Sequence, residues 1–222
     1  MIEKKVDIPS SVGILEGQII IPEKNEPIQP FGIVLCHPHP QFGGTMANNV
    51  VRSIYKSFGK MGYPIVRFNF RGVGYSAGVY AGGVAEQEDV IAACYFLQGK
   101  TASLMNNLPI LLVGYSFGSV VAASVANNLD FILGYVAISY PFTFIPDFIS
   151  QAHTLKPKLF LMGSRDDFTT IKAFNAEFER FPHPKAKQII PNIDHFWIGA
   201  ENSLVEAIQI WISEQKLDKK QF

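Results

Sequence analysis

The stretch "PILLVGYSFGSVVAASVA", residues 109–126, indicates the fold of this 222-residue chain. It opens with an apolar run that suits a short buried strand. It then turns at Gly114 and Tyr115 and continues in small apolar residues, which suit a buried helix. A strand, a tight turn and a helix around Gly-x-Ser-x-Gly form the elbow that exposes a nucleophilic serine. Ser116 is therefore the candidate nucleophile.

A second Gly-x-Ser-x-Gly match, "GYSAG" at residues 74–78, lacks this context. Its strand ends near Phe70, and "RGVG" separates that strand from Ser76. The residues that follow are too rich in glycine to begin a helix. We therefore expect Ser76 to be an ordinary loop serine.

Outward from residues 109–126, strand patterns and helix patterns alternate along the chain. Two early strand patterns precede this alternation. The pattern predicts an α/β fold in one domain over residues 1–222, with a mostly parallel, twisted, eight-stranded sheet and helices on both faces. The predicted strands are 4–9, 16–22, 31–37, 63–70, 109–113, 133–139, 158–163 and 187–191, and the predicted helices are 47–58, 84–97, 119–126, 171–181 and 204–212.

The composition excludes several classes of partner. The 19 basic and 19 acidic residues cancel, and no basic block points to nucleic acid or to an anionic membrane.

The amino-terminal residues lack the apolar core of a signal peptide. The two cysteines, Cys36 and Cys94, lie in apolar surroundings, so free thiols in a reducing cytoplasm are expected. The sequence is compatible with a homodimer.

A serine hydroxyl needs a base, usually a histidine that a carboxylate orients. Downstream of Ser116, "LFLMGSRDDFTT" places Asp166 and Asp167 just past a strand. Further on, "IIPNIDHFW" places His195 between the last short strand and the last helix. Functional residues of such folds lie at the carboxyl ends of strands, so these positions suit a catalytic triad. Asp194 precedes His195 directly and is interpreted as a turn residue.

With these motifs the chain resembles the α/β-hydrolase superfamily, and within it the small, lidless, dienelactone-hydrolase-like esterases. The matching pieces are "LCHPHPQFGG", "FNFRGVGYSAG", "GYSFG", "GSRDD" and "DHFW". The resemblance implies an α/β-hydrolase fold and a serine hydrolase. It favours Asp166, three residues after Gly163, as the carboxylate, with Asp167 as the alternative. It also implies that His37 is structural, beneath the loop that binds the oxyanion.

The oxyanion hole requires two backbone N–H groups. Phe117, directly after the serine, supplies one in such elbows. The loop after the third strand supplies the other, and Pro38 and Pro40 lack an N–H. His39 is thus the predicted second donor, with Gln41 as the alternative.

The substrate rim is expected at Gly43 and Gly44, which let the loop pass close to a substrate, and at Phe142, Phe144 and Phe148. About twenty residues separate the sixth and seventh strands, which leaves no room for a separate cap domain. Arg71, in the loop before Ser76, is interpreted as a link between loops.

Taken together, these features predict a serine hydrolase that cleaves small carboxylic esters or thioesters through an acyl-enzyme on Ser116. No dinucleotide or phosphate-binding fingerprint follows a strand, so no organic cofactor is implied. His37 and His39 form too small a ligand set to predict a metal. The alternatives are a non-catalytic scaffold of this fold, and a peptidase or carbon–carbon hydrolase that uses the same triad.

Overall fold

Eight strands form a single sheet in the computed structural model, which describes residues 2–23, 25–142 and 146–219. The strands are β1 (Ile2–Ser10), β2 (Gly13–Ile21), β3 (Gly32–Cys36), β4 (Ile65–Phe68), β5 (Ile110–Tyr115), β6 (Ile132–Ile138), β7 (Lys158–Gly163) and β8 (Lys185–Ile190). The helices are α1 (Asn49–Lys60), α2 (Glu86–Thr101), α3 (Phe117–Val125), α4 (Pro146–Ile149), α5 (Ile171–Glu179) and α6 (Glu201–Glu214).

The strand order is β1-β2-β4-β3-β5-β6-β7-β8. β1 pairs with β2 and β2 with β4 in antiparallel fashion, and every later neighbour is parallel. The prediction of a mostly parallel, eight-stranded sheet is confirmed. The parallel strands end at one edge, so the segments that follow β3 to β8 meet there.

Two apolar layers hold the helices against the sheet. α1 and α6 pack on one face through residues such as Ile54 and Ile208, and α2, α3 and α5 pack on the other. The central strands β3, β4 and β5 are buried along their whole length. This explains their continuous apolar sequences, because each of their faces meets a helix layer.

Helix α2 differs from the predicted range of residues 84–97: it begins two residues later, at Glu86, and continues past Gly99 to Thr101. At Gly99 an added Cβ would meet nothing, so the glycine lies on open surface and costs only its helix propensity, about 1 kcal/mol. Leu97 and Thr101 are both buried, and the Thr101 hydroxyl donates to the Leu97 carbonyl. Packing thus carries the helix beyond the glycine.

No separate cap lies between β6 and β7 among the described residues. The described part of this connection holds only the four-residue helix α4. No helix in the described ranges is long and apolar enough to cross a bilayer.

Candidate active site

Ser116 stands in a strained turn between β5 and α3. Its backbone has φ 52° and ψ −122°, which non-glycine residues rarely adopt. A Cβ at Gly114 would lie 2.2 Å from the Gly118 carbonyl oxygen, and one at Gly118 would lie 2.4 Å from the Cys36 carbonyl oxygen. Only glycine fits at both positions, which is why the motif carries two glycines around the serine.

The three residues expected to form a triad lie within hydrogen-bond distance of each other. His195 Nε2 is 3.1 Å from Ser116 Oγ, and His195 Nδ1 is 2.8 Å from Asp166 Oδ2. Because an ionised carboxylate only accepts, Nδ1 carries the hydrogen and Nε2 offers its lone pair to the serine hydroxyl. His195 and Asp166 are both buried.

The neighbouring aspartates have other positions. Asp167 is exposed. Asp194 is also exposed, and its Oδ1 accepts from the N–H groups of Phe196 and Trp197 in a local turn. The structure therefore brings Asp166, and neither neighbour, to the histidine.

Asp166 is held as a carboxylate by several donors. Burial alone would raise the pKa of Asp166, but hydrogen bonds from His195, Ser139 and the Phe168 N–H outweigh it, and the pKa lies below its usual value. Its Oδ1 also accepts from the Thr169 N–H. A deprotonated Asp166 keeps the hydrogen of His195 on Nδ1.

Two further strained residues stand behind Asp166. Ser139, just after β6, has φ 48°, and Trp197 has φ 58°. Both are buried, and the Trp197 indole Nε1 donates to Ser139 Oγ at 3.0 Å. Hydrogen bonds thus run from Trp197 through Ser139 to Asp166 and on to His195.

The His39–Gly44 loop leaves a single backbone donor unused. Within the described residues, the Gln41 N–H donates to His39 Nδ1, the Phe42 and Gly44 N–H groups donate to the His39 carbonyl, and the Gly43 N–H donates to the Pro40 carbonyl. The His39 N–H has no such acceptor. This accounting supports His39 over Gln41 as an oxyanion donor.

Phe117 is the first residue of α3. Its N–H therefore has no acceptor inside the helix. It directly follows Ser116, so the structure offers the donor that the elbow motif predicts.

His37 and His39 each use both ring nitrogens in hydrogen bonds within the protein. His37 Nδ1 donates to the Pro38 carbonyl at 2.6 Å, and Nε2 accepts from the Phe70 N–H at 3.0 Å. Burial lowers the pKa of His37 to about 4, so it stays neutral. His39 Nδ1 accepts from Gln41, so Nε2 carries the hydrogen and donates to the Tyr80 hydroxyl at 3.1 Å.

A metal site finds no support in this arrangement. His37 and His39 use their ring nitrogens in protein hydrogen bonds, and the described part of the chain has no cluster of three or more His, Cys, Asp or Glu residues that could hold a metal ion.

Ser76 and Arg71 are structural, as expected from the sequence. Ser76 Oγ donates to the Asn69 carbonyl at 2.7 Å and accepts from the Glu16 N–H at 2.9 Å. The Arg71 guanidinium pairs with the buried Asp89 at 2.8 Å, which ties the loop after β4 to α2. Both side chains therefore bind other residues of the protein.

Two cavities open beside Ser116. One has a volume of about 410 Å³ and is called the Phe148 chamber. The other has a volume of about 390 Å³, contains His195 in its wall and is called the His195 chamber. The two chambers share four wall residues: His39, Phe42, Ser116 and Phe168. Ser116 therefore lies where the chambers meet.

The predicted rim residues divide into three outcomes. Gly43 and Gly44 line the His195 chamber, and Phe148 lines the other chamber. The prediction for Phe142 is wrong, because its ring is buried in the core and packs on Phe160 and Phe174. Phe144 lies outside the described residues.

Several residues at the site carry no motif that would reveal them. Phe42 and Phe168 line both chambers, and Tyr80 lines the Phe148 chamber. Glu86 is fully buried, and its carboxylate accepts from the Ala81 and Gly83 N–H groups beneath that chamber. The sequence feature nearest to Glu86 is the glycine pair Gly82 and Gly83, which ends three residues before it.

The fold and the Ser–His–Asp geometry together define an α/β hydrolase of the serine type. Residues 33–215 match the family described as "Alpha/beta hydrolase domain", and the chain belongs to it. An uncharacterized protein of Rickettsia prowazekii, RP471, is 33% identical over 207 residues, which covers 90% of this chain and 84% of that protein.

Solved structures with the same architecture include two at high similarity. XC6422 from Xanthomonas campestris, described as an α/β serine hydrolase without a lid, has a TM-score of 0.86 at 25% identity, covering 99% of this chain and 97% of that one. An α/β serine hydrolase homologue from Coxiella burnetii has a TM-score of 0.84 at 31% identity, covering 94% and 96%. These likenesses place the chain among lidless α/β hydrolases.

Proposed function

We propose that this protein is a serine hydrolase that cleaves small carboxylic esters or thioesters through an acyl-enzyme on Ser116. The observation that carries the proposal is the contact of Ser116 Oγ with His195 Nε2 at 3.1 Å. On the other side of the same ring, His195 Nδ1 lies 2.8 Å from Asp166 Oδ2. A nucleophile, a base and an orienting carboxylate in this arrangement perform acyl transfer.

The reaction follows from the protonation states of these groups. His195 Nε2 takes the proton of Ser116 as Oγ bonds to the carbonyl carbon. The backbone N–H groups of Phe117 and His39 stabilise the negative charge on the carbonyl oxygen. The bond to the leaving group then breaks as His195 returns the proton to the departing oxygen or sulfur.

Deacylation repeats these steps with water. His195 removes a proton from water as the water oxygen bonds to the acyl carbon, and Ser116 leaves with that proton. Asp166 stays ionised throughout and stabilises the positive charge that His195 carries transiently. The products are a carboxylic acid and an alcohol or thiol.

Ester and thioester substrates suit the walls of the site. The two chambers are mainly apolar, and no Asp, Glu, Lys or Arg side chain lines them among the described residues. The absence of a cap between β6 and β7 in the described ranges leaves the serine accessible to small substrates. The description of the Xanthomonas campestris neighbour as a serine hydrolase without a lid supports the same reaction class.

We also propose that the protein resides in the reducing cytoplasm. Cys36 and Cys94 are free and buried, and burial raises the pKa of both thiols, so neither is poised to react.

The test combines labelling with a matched pair of serine variants. A fluorophosphonate probe should modify Ser116, as mapped by peptide mass spectrometry. Ser116→Ala should lower the turnover of p-nitrophenyl acetate by roughly 10⁴-fold or more. Ser76→Ala, in the other Gly-x-Ser-x-Gly motif, should lose stability and keep turnover. An unlabelled, inactive wild-type protein would instead favour a non-catalytic scaffold.

A further inference from the structure

The positions of the two chambers relative to His195 distinguish their roles. His195 returns its proton to the leaving group, so the leaving group must lie on the side of Ser116 that His195 occupies. His195 lines one chamber and is absent from the described wall of the other. The acyl group of the substrate therefore extends away from His195, into the Phe148 chamber.

We propose that the Phe148 chamber is an acyl-binding subsite for an uncharged aromatic acyl group, such as phenylpropanoyl, and that the His195 chamber receives the leaving group. This inference rests on the proposed function. It adds the class of acyl group and the direction in which the substrate lies.

The wall of the Phe148 chamber is unusually rich in rings. His39 lies between Phe42, Tyr80 and Phe117, with ring centroids at 4.8, 5.1 and 5.0 Å. Phe148 and Phe168 add two more rings to this wall. Ring pairs at such distances prefer tilted or offset contacts, and each adds about 0.5–1.5 kcal/mol beyond its apolar area. An aryl group in the chamber gains several such contacts.

The chamber also has a flat side, which glycine provides. Gly82 and Gly83 line it, and both have positive φ, at 72° and 94°. A Cβ at Gly82 would meet nothing within 4 Å, whereas the Phe148 and Phe117 rings lie 3.2 Å and 3.3 Å from the place where a Cβ of Gly83 would stand. The carboxylate of Glu86 holds this loop by accepting from the Gly83 N–H at 2.8 Å. A substrate ring can therefore lie against the backbone at Gly82.

The charge and size of the chamber limit the acyl group. None of its described wall residues carries a formal charge when His39 is neutral, and burial lowers the pKa of His39. A carboxylate or an ammonium would lose its hydration there without a partner. The volume of about 410 Å³ equals the share of roughly fourteen waters at about 30 Å³ each. It accommodates an acyl group of the size of phenylpropanoyl.

Four p-nitrophenyl esters test the class of acyl group, because they share one leaving group: acetate, octanoate, phenylpropanoate and the hemisuccinate. Octanoate has one carbon fewer than phenylpropanoate and no ring, so it is close in size. We expect kcat/KM for phenylpropanoate to exceed that for octanoate by about three- to tenfold, and the hemisuccinate to be slower than octanoate by about a hundredfold. Equal or faster octanoate hydrolysis would overturn the aromatic assignment.

Two phenylalanines provide a matched pair for the position of the acyl group. Phe148 lines only the Phe148 chamber, and Phe196 lines only the His195 chamber. Phe148→Leu keeps an apolar wall and removes a ring, so the ratio of phenylpropanoate to octanoate rates should fall to about one- to threefold. Phe196→Leu should leave that ratio as in the wild type. The reverse result would overturn the chamber assignment.

Labelling separates failure of this inference from failure of the proposed function. If the fluorophosphonate modifies Ser116 and acetate is hydrolysed, while the acyl series shows no dependence on Phe148, the inference alone is wrong. If no ester is cleaved and Ser116 stays unmodified, the hydrolase proposal fails and the subsite assignment falls with it.

Discussion

Ser139 offers a way to separate a hydroxyl from the backbone strain that presents it. It is buried at φ 48°, hydrogen-bonds to Asp166, and accepts from the Trp197 indole. Ser139→Ala removes the hydroxyl and keeps a Cβ at positive φ. Ser139→Gly removes the same hydroxyl and relieves that strain. Any difference between the two variants therefore reports on the backbone alone.

The expected magnitudes follow from these contacts. A hydrogen bond to a charged group is worth about 1.5–3 kcal/mol, so both variants should lose about ten- to a hundredfold in turnover as Asp166 becomes less firmly placed. Both leave the buried Trp197 N–H without its acceptor, at about 1–3 kcal/mol of stability. Positive φ adds a cost of about 1 kcal/mol to alanine that glycine avoids. Glycine should therefore be the more stable variant.

The assays are the turnover of p-nitrophenyl acetate and urea unfolding of the same preparations. Loss of the Ser139 hydrogen bond also raises the pKa of Asp166. The stability that the ionised Asp166 contributes is lost as the pH falls through this pKa, so the variants should lose it at a higher pH than the wild type. If Ser139→Gly restored turnover that Ser139→Ala had lost, backbone strain would be the cause. If both variants kept wild-type turnover, Ser139 would have no role in positioning Asp166.

Three other expectations test the remaining assignments. Asp166→Asn should lower turnover far more than Asp167→Asn, because only Asp166 contacts the histidine; a deeper loss at Asp167 would reverse the assignment. His39→Ala should keep turnover within about tenfold, whereas His39→Pro, which removes the N–H, should lose about 10²- to 10³-fold, with a crystal structure of the proline variant to check the loop. The pKa of His37 is about 4 in the folded chain, whereas a histidine of the unfolded chain has a pKa of about 6.5. Between these two pH values only the unfolded chain binds the proton. The free energy of unfolding should therefore fall by about 3 kcal/mol as the pH is lowered from about 6.5 to about 4. His37→Gln should flatten this fall in urea titrations, and an unchanged slope would contradict the reasoning.

The parts of the site that the sequence predicted are those that follow strands in chain order. Ser116, Asp166 and His195 each come just after an apolar run, and the carboxyl ends of parallel strands meet at one edge. The prolines on either side of His39 favoured its N–H over that of Gln41 as the second oxyanion donor, because Pro38 and Pro40 lack an N–H and this is visible in the sequence. Their catalytic roles stay predictions until they are assayed.

The parts that sequence reasoning missed depend on direction and backbone angle. Phe142 was expected at the rim, but an aromatic residue after a strand can face the core or the site, and its ring packs on Phe160. The link between Ser139 and Trp197 needs positive φ at two non-glycine positions, and no local pattern announces this. Glu86 looks like an ordinary helix-start carboxylate until the loop that it holds is seen.

The strand order has a consequence for how the protein acquires activity. The loop of His39 follows β3, Ser116 follows β5, Asp166 follows β7 and His195 follows β8, so the site draws on residues that lie more than 150 positions apart in the chain. Contacts of such long range form late, because closing long loops is entropically costly. Ester turnover should therefore return during refolding only when β8 has paired with β7. The enzyme would then serve as its own reporter of complete folding, and fragments that end before β8 should be silent in the assay.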